Sequence, residues 1–207
     1  MLIQTLPVGP LQTNCYLLCD EASKTCAVID PGAEGERVAQ WVAQSGYTPV
    51  AIFLTHGHFD HFTDVPLLLQ RYPGLPVYLH EADLCTEGEG VAKARFACPP
   101  MPNMRHYEEG DRLTVGELEL SVLETPGHTS GCVTLQVENA LITGDTLFAG
   151  SCGRTDLPRS SMKEMFASLK RLAQLEGDYL VYPGHGESST LSAERCSNPY
   201  MRRALQL

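Results

Sequence analysis

The chain has 207 residues, 43% of them hydrophobic, which is enough for one continuous core and predicts a single domain over residues 1–207. Its formal charge of −10 repels polyanions on average and argues against nucleic acid as a partner. No secretion signal is legible in the opening MLIQTLPVGP and no membrane span anywhere, while eight cysteines without a CxxC pair, in a chain too long for a disulfide-stapled scaffold, predict reduced thiols and a cytoplasmic protein.

Two β-rich runs, residues 14–19 and 25–29, flank the polar turn DEASK and predict a hairpin, followed by a turn at Asp30-Pro31-Gly32. Over 34–44 the apolar Val38, Ala39, Trp41 and Val42 recur at helical intervals, and Gly46 closes the segment. A short apolar strand is predicted at 50–54, then a helix over 63–71 and a strand at 76–79. The stretch from Cys85 to Tyr107 contains CPPMP and resists helix; a loop covering substrate is the expectation there. Strands at 117–123, 132–137 and 140–142, a helix over 162–175 and a strand at 179–182 complete the chain. Each half supplies strands and covering helices, which suits a layered sheet sandwich with helices outside.

Directly after the 50–54 strand stands THGHFDH, with His56, His58, Asp60 and His61 in one six-residue window. Three of the seven histidines fall there. Imidazole nitrogen and carboxylate oxygen suit zinc, iron or manganese, and ligands one and two residues apart cannot share a helix face, so a loop must wrap the ions. Three further candidates follow apolar strands: His128 in ETPGHTSG, Asp145 in LITGDTLF and His185 in VYPGHGES. Neighbouring glycines let each backbone turn tightly toward a shared centre. Each alone reads as an ordinary turn residue; their recurrence beside THGHFDH makes a set of seven. His80 and His106 lie outside these motifs and read as surface or turn histidines. Asp30 reads as a strand-end aspartate supporting the metal loop, and Thr55 and Thr129 as residues that orient ligands by hydrogen bonds. Cys26 and Cys132 sit in strand-like runs and read as core residues.

In this order and context, HxHxDH, a single His, an Asp and a final His, the chain resembles the metallo-β-lactamase superfamily, over nearly its whole length. The resemblance implies an α/β fold, a four-layer αββα sandwich. It also implies that His56, His58 and His128 hold one metal, that Asp60, His61 and His185 hold the other, and that Asp145 bridges them. In secreted β-lactamases of the main class a Cys stands at the position that resembles Asp145; the carboxylate here looks like the glyoxalase II branch.

That branch implies hydrolysis of a small-molecule thioester, S-D-lactoylglutathione to glutathione and D-lactate. Asp60 and Asp145 would be its catalytic carboxylates, with hydroxide supplied by two divalent cations, zinc or iron or manganese, that lower the pKa of water from about 15.7 to roughly 7. No general acid stands near the motifs, and a thiol of pKa about 8.5 leaves without one. GSCGRTDLPR resembles the loop that carries a cationic glutathione contact in that branch, with Arg154 where Lys is usual; the alternative is that Arg154 only anchors its own loop through Asp156. Full-size glyoxalase II enzymes continue past the final His into a helical glutathione-binding domain, whereas about twenty residues remain here, so the resemblance is to the compact bacterial type. Persulfide dioxygenases look similar through HxHxDH and CGRTD, with one iron held by residues like His56, His128 and Asp145. Hydrolysis of a lactone or β-lactam ring is a third reading. The oligomeric state is not legible.

Overall fold

The structure, a computed structural model, describes residues 1–85 and 95–207. The first sheet orders as β1 (Leu2–Val8), β2 (Thr13–Asp20), β3 (Thr25–Ile29), β4 (Thr48–Phe53), β5 (Val77–Leu79) and β6 (Met104–His106). The β2–β3 pair is the predicted hairpin, with Tyr16 opposite Ile29 and Asp20 opposite Thr25. β1 adds antiparallel at the edge, where Pro7 is tolerated; β4, β5 and β6 add in parallel. Helix α1 (Gly35–Ser45) ends at Gly46, in the left-handed conformation that closes helices. The helix predicted over 63–71 is α3 (Val65–Arg71), with Pro66 in its first turn; a separate one-turn helix, α2 (Phe59–Phe62), precedes it inside the HGHFDH motif.

The second half begins with the antiparallel strands β7 (Arg112–Val115), β8 (Leu118–Glu124), β9 (Val133–Val137) and β10 (Ala140–Gly144). A small ribbon, β11 (Leu147–Phe148) with β12 (Ser151–Cys152), leads to α4 (Met162–Ala173). That helix starts on a capping box, since the Ser161 side chain accepts from the Glu164 amide. Strand β13 (Leu180–Pro183) adds in parallel to β10, β14 (Ser189–Thr190) closes the edge, and α5 (Leu191–Ser197) and α6 (Pro199–Ala204) end the chain. Several elements escaped the sequence reading, among them α2, β7 and the β11–β12 ribbon. β1 sits in a segment weighed only as a leader, β6 is three residues long inside the CPPMP stretch, and β14 and the C-terminal helices are too short for periodicity to register.

Strands buried on both faces organise the core. Along β2, Leu17 and Cys19 point to one side and pack with Val38, Val42, Val65 and Leu68 of α1 and α3. Tyr16 and Leu18 point to the other side and meet Leu120, Val122, Leu135 and Ile142 of the second sheet. On its far face that sheet presents Leu141 and Val181 to Met165, Leu169 and Leu172 of α4 and Met201 of α6. The result is helix, sheet, sheet, helix, the αββα order expected. Each fully buried Leu, Ile or Phe contributes roughly 1.5–3 kcal/mol.

Candidate metal centre

All seven expected residues lie just beyond the ends of strands β4, β8, β10 and β13, at the rim where the two sheets meet. Their donor atoms fall into three overlapping groups, each with every atom within 4.8 Å of the others: His56, His58 and His128; His56, His61 and Asp145; Asp60, His61 and His185. Asp145 stands between the outer two, with Oδ1 3.5 Å from His61 Nε2 and Oδ2 3.3 Å from His128 Nε2 and 3.5 Å from His185 Nε2. Asp60 Oδ2 lies 3.6 Å from His61 Nε2 and 3.4 Å from His185 Nε2.

Two glycines make this convergence sterically feasible. A Cβ on Gly184 would meet Asp145 Oδ1 at 2.1 Å, and one on Gly32, beneath the motif, would meet the Asp60 carbonyl oxygen at 1.3 Å. Both positions need hydrogen because backbone is packed against the ligand loops.

The imidazoles are aimed from behind. His61 Nδ1 donates to Asp30 Oδ2 (2.9 Å), His128 Nδ1 to the Arg154 carbonyl (2.8 Å) and His185 Nδ1 to the Leu11 carbonyl (3.1 Å). His56 Nδ1 sits 3.2 Å from Thr55 Oγ1, which itself donates to Asp30 Oδ2 (2.7 Å). With Nδ1 protonated, the Nε2 lone pair faces inward. The Nε2 atoms of His56, His58, His61 and His128 and Oδ1 of Asp145 are buried with no hydrogen-bond partner among the described residues. Leaving one such group unsatisfied costs about 1–3 kcal/mol. Four inward lone pairs beside two carboxylates are the donor set that borderline divalent cations take, so the residues fit a metal centre.

The charges separate the site into two halves. Burial, with His61 and His58 nearby, holds the His56 pKa well below its usual 6.5, and burial with His128 takes His58 to about 3. Burial also opposes charge on His61, but Asp30 and Asp145 outweigh it and raise the pKa to about 9; for His185, hydrogen bonds with Asp145 and Asp60 overcome burial and raise it to about 10. Burial would raise both carboxylates, yet His61 and His185 hold Asp145 at about 2 and His185, His61 and Thr13 hold Asp60 well below its usual value. Both are ionised at neutral pH.

Several supports were not legible as such. Thr13 donates to Asp60 Oδ2 (2.9 Å), and Asn14 Nδ2 donates to the carbonyls of Pro183 (3.0 Å) and Gly186 (2.9 Å), pinning the His185 loop to β2. Asp83, buried in the 3-10 turn Glu81–Asp83, accepts from Gly57 N (2.8 Å), Gly131 N (2.9 Å) and Thr129 Oγ1 (2.6 Å). It thereby joins the HGH loop to the His128 loop. Thr129 is a correction: its hydroxyl serves Asp83 and Cys132 Sγ and orients no ligand directly. Thr55 and Asp30 act as expected, and Cys26 and Cys132 are buried in the core. His80 and His106 stay outside the centre, His80 capping the 3-10 turn and meeting Glu124, His106 meeting the Leu79 carbonyl.

A cleft of about 640 Å³ opens onto the cluster, lined by His58, Asp60, His128, Asp145 and His185 and walled by Leu11, Phe59, Phe96, Phe148 and Leu157, with Arg95 and Arg154 also on its surface. Arg154 spends its fork on Asp156, through Nε (2.7 Å) and a terminal nitrogen (2.8 Å), as the loop-anchoring alternative requires. The expected covering loop falls partly on residues 86–94, which lie outside the described residues; Arg95 and Phe96 beyond them belong to the cleft wall.

Residues 8–185 match the metallo-beta-lactamase superfamily, and the chain belongs to it. Its relatives include an uncharacterized protein of Aquifex aeolicus (39% identical, covering 97% of each chain) and the probable metallo-hydrolase YqgX of Bacillus subtilis (36%, 95% of each). The hydroxyacylglutathione hydrolase GloC of Haemophilus influenzae is 32% identical, over 97% of this chain and 98% of its own. Among solved structures, the chain is similar to TTHA1623 in a di-iron-bound form (41% identity, TM-score 0.83, 95% of this chain and 99% of the other). It is similar also to the BLEG-1 B3 metallo-beta-lactamase (32%, TM-score 0.83, 97% and 99%) and to ETHE1 from Myxococcus xanthus (30%, TM-score 0.81, 96% and 84%). Hydrolase chemistry at a metal centre is the property the superfamily carries.

Proposed function

We propose that this chain is a metal-dependent thioester hydrolase that cleaves a glutathione conjugate, S-D-lactoylglutathione to glutathione and D-lactate. In this reading His56, His58 and His128 hold one ion, Asp60, His61 and His185 the other, and Asp145 bridges; zinc and iron both suit the donors. Two divalent cations there would supply an ionised water at neutral pH and a positive charge for the oxygen of the attacked carbonyl.

The observation that carries the thioester is the poverty of proton donors among the described residues of the cleft. Beyond the seven residues, the titratable groups among the described residues of its wall are Arg95, Arg154 and Cys152, and burial pushes the Cys152 thiol up to about 11. Asp60 and Asp145, held ionised, offer a leaving group no proton either. An amine or alkoxide generally needs protonation, whereas a thiol of pKa about 8.5 departs as thiolate. The phenylalanines exclude water around the carbonyl while Asp30, Thr55 and Asp83 keep the imidazoles in place. The likeness to GloC, a hydroxyacylglutathione hydrolase matched over 98% of its own length, supports this reading.

The test is thiol release from S-D-lactoylglutathione by purified protein, with metal content measured on the same sample. Turnover that disappears on chelation, and in Asp145→Ala together with bound metal, is expected. Metal-loaded protein that releases no thiol would overturn the reading. Nitrocefin hydrolysis would then point to a β-lactam, and oxygen uptake with glutathione persulfide to a dioxygenase with one iron.

A further inference from the structure

The two arginines on the cleft wall are not equivalent. Arg154 is committed to Asp156 through two donors, and its backbone carbonyl holds His128. Arg95 is exposed, lies over the Phe59 ring at 5.6 Å, and faces no carboxylate among the described residues. Its backbone is nevertheless tied to the metal loop: the Phe59 amide donates to the Arg95 carbonyl (3.2 Å), and the neighbouring Phe96 ring meets His58 edge-on at 5.6 Å. A forked donor thus stands on the rim of an apolar cleft, with five N–H groups that no carboxylate among the described residues engages and that can meet a planar anion.

We propose that Arg95 is a specificity-determining residue that binds a carboxylate on the thiol portion of the substrate, an inference that rests on the thioester reading above. The depth of the site decides which portion. The carbonyl carbon must reach the buried Nε2 cluster, so the acyl group enters first and the thiol portion trails toward the exposed rim where Arg95 stands. Glutathione carries two carboxylates, and a guanidinium takes one bidentately. In a chain of net charge −10, this cation also marks the place where an anionic substrate meets attraction rather than repulsion.

The experiment compares wild type, Arg95→Gln and Arg95→Lys, all metal-loaded, on S-D-lactoylglutathione and on the same thioester with both glutathione carboxylates amidated. Arg95→Gln should raise KM for the charged substrate about 10-fold, with kcat within about twofold and the diamide unaffected; Arg95→Lys should fall between, a point charge lacking the fork. Calorimetric binding of S-butylglutathione and its diamide, neither of which can be hydrolysed as a thioester, provides a readout independent of turnover. If the enzyme cleaves both thioesters and Arg95→Gln shifts them equally or not at all, the Arg95 assignment is overturned while the thioester reading stands. If no thioester is cleaved yet S-butylglutathione binding weakens about 10-fold in Arg95→Gln and diamide binding does not, the carboxylate site stands and the thioester reading fails. Wild type that neither cleaves the thioesters nor binds S-butylglutathione removes both.

Discussion

Asp30 shows how single residues shape the centre. It adopts a left-handed backbone (φ 52°), a conformation that Asp tolerates better than most side chains, and from it one carboxylate serves Thr55 N, Thr55 Oγ1 and His61 Nδ1. The opposing shifts of the histidines have a measurable result in metal-free protein. His61 and His185, raised from 6.5 to about 9 and about 10, contribute stability that is complete below pH 6.5 and lost as pH rises through those values. His56 and His58, depressed, contribute stability present above 6.5 and lost as pH falls toward their folded-state values. Chelator-treated protein should therefore be most stable near pH 6.5. Denaturant midpoints followed from about pH 5 to about pH 9 should peak there. A midpoint that climbs steadily across the range would show that His61 and His185 are not paired with Asp30, Asp60 and Asp145.

Loops and strands are coupled at the next scale by Asp83, whose three partners lie 26, 46 and 48 residues away in sequence. Burial raises its pKa, but the Thr129 hydroxyl and the amides of Gly57 and Gly131 favour the ionised form. Asp83→Asn keeps the shape and leaves one oxygen for three donors, setting an amide NH2 against a backbone N–H. The expected cost is about 1–3 kcal/mol of stability from the unsatisfied donor. The metal should also bind about 10–100-fold more weakly, as is typical when a ligand's support is removed. Unfolding midpoint and competition with a chromophoric chelator read the two effects separately. Unchanged metal affinity would mean that the HGH and His128 loops hold their shape without this carboxylate.

For the whole molecule, the donors come from both sheets: His56, His58, Asp60 and His61 follow β4 of the first, while His128, Asp145 and His185 follow β8, β10 and β13 of the second. Bound cations would clasp the two layers across the rim and so stabilise the native state. At a free metal concentration about 1,000 times Kd the gain is about 4 kcal/mol, and in a chain of this size each kcal/mol moves Tm by roughly 2–4 °C. Removing metal should lower Tm by about 10 °C, and restoring zinc should return it. Stripped protein that melts at the same temperature as loaded protein would place the cations outside the folding equilibrium.

What the amino-acid sequence by itself determined was periodic and local. Strands β2, β3, β4, β5, β8, β9, β10 and β13 and helices α1, α3 and α4 follow from hydrophobic spacing, and the seven donors from clustered histidines and from glycine turns after apolar runs. These signals survive in one dimension because the residues that make them are neighbours. Tertiary structure alone decided the rest: that Asp83 links two loops, that Thr129 serves Asp83 rather than a histidine, that Thr13 and Asn14 hold the far side of the site, and that Arg154 is paired with Asp156 while Arg95 meets no carboxylate among the described residues. Each of these depends on which groups meet across two packed sheets, a relation between residues tens of positions apart that no local pattern encodes.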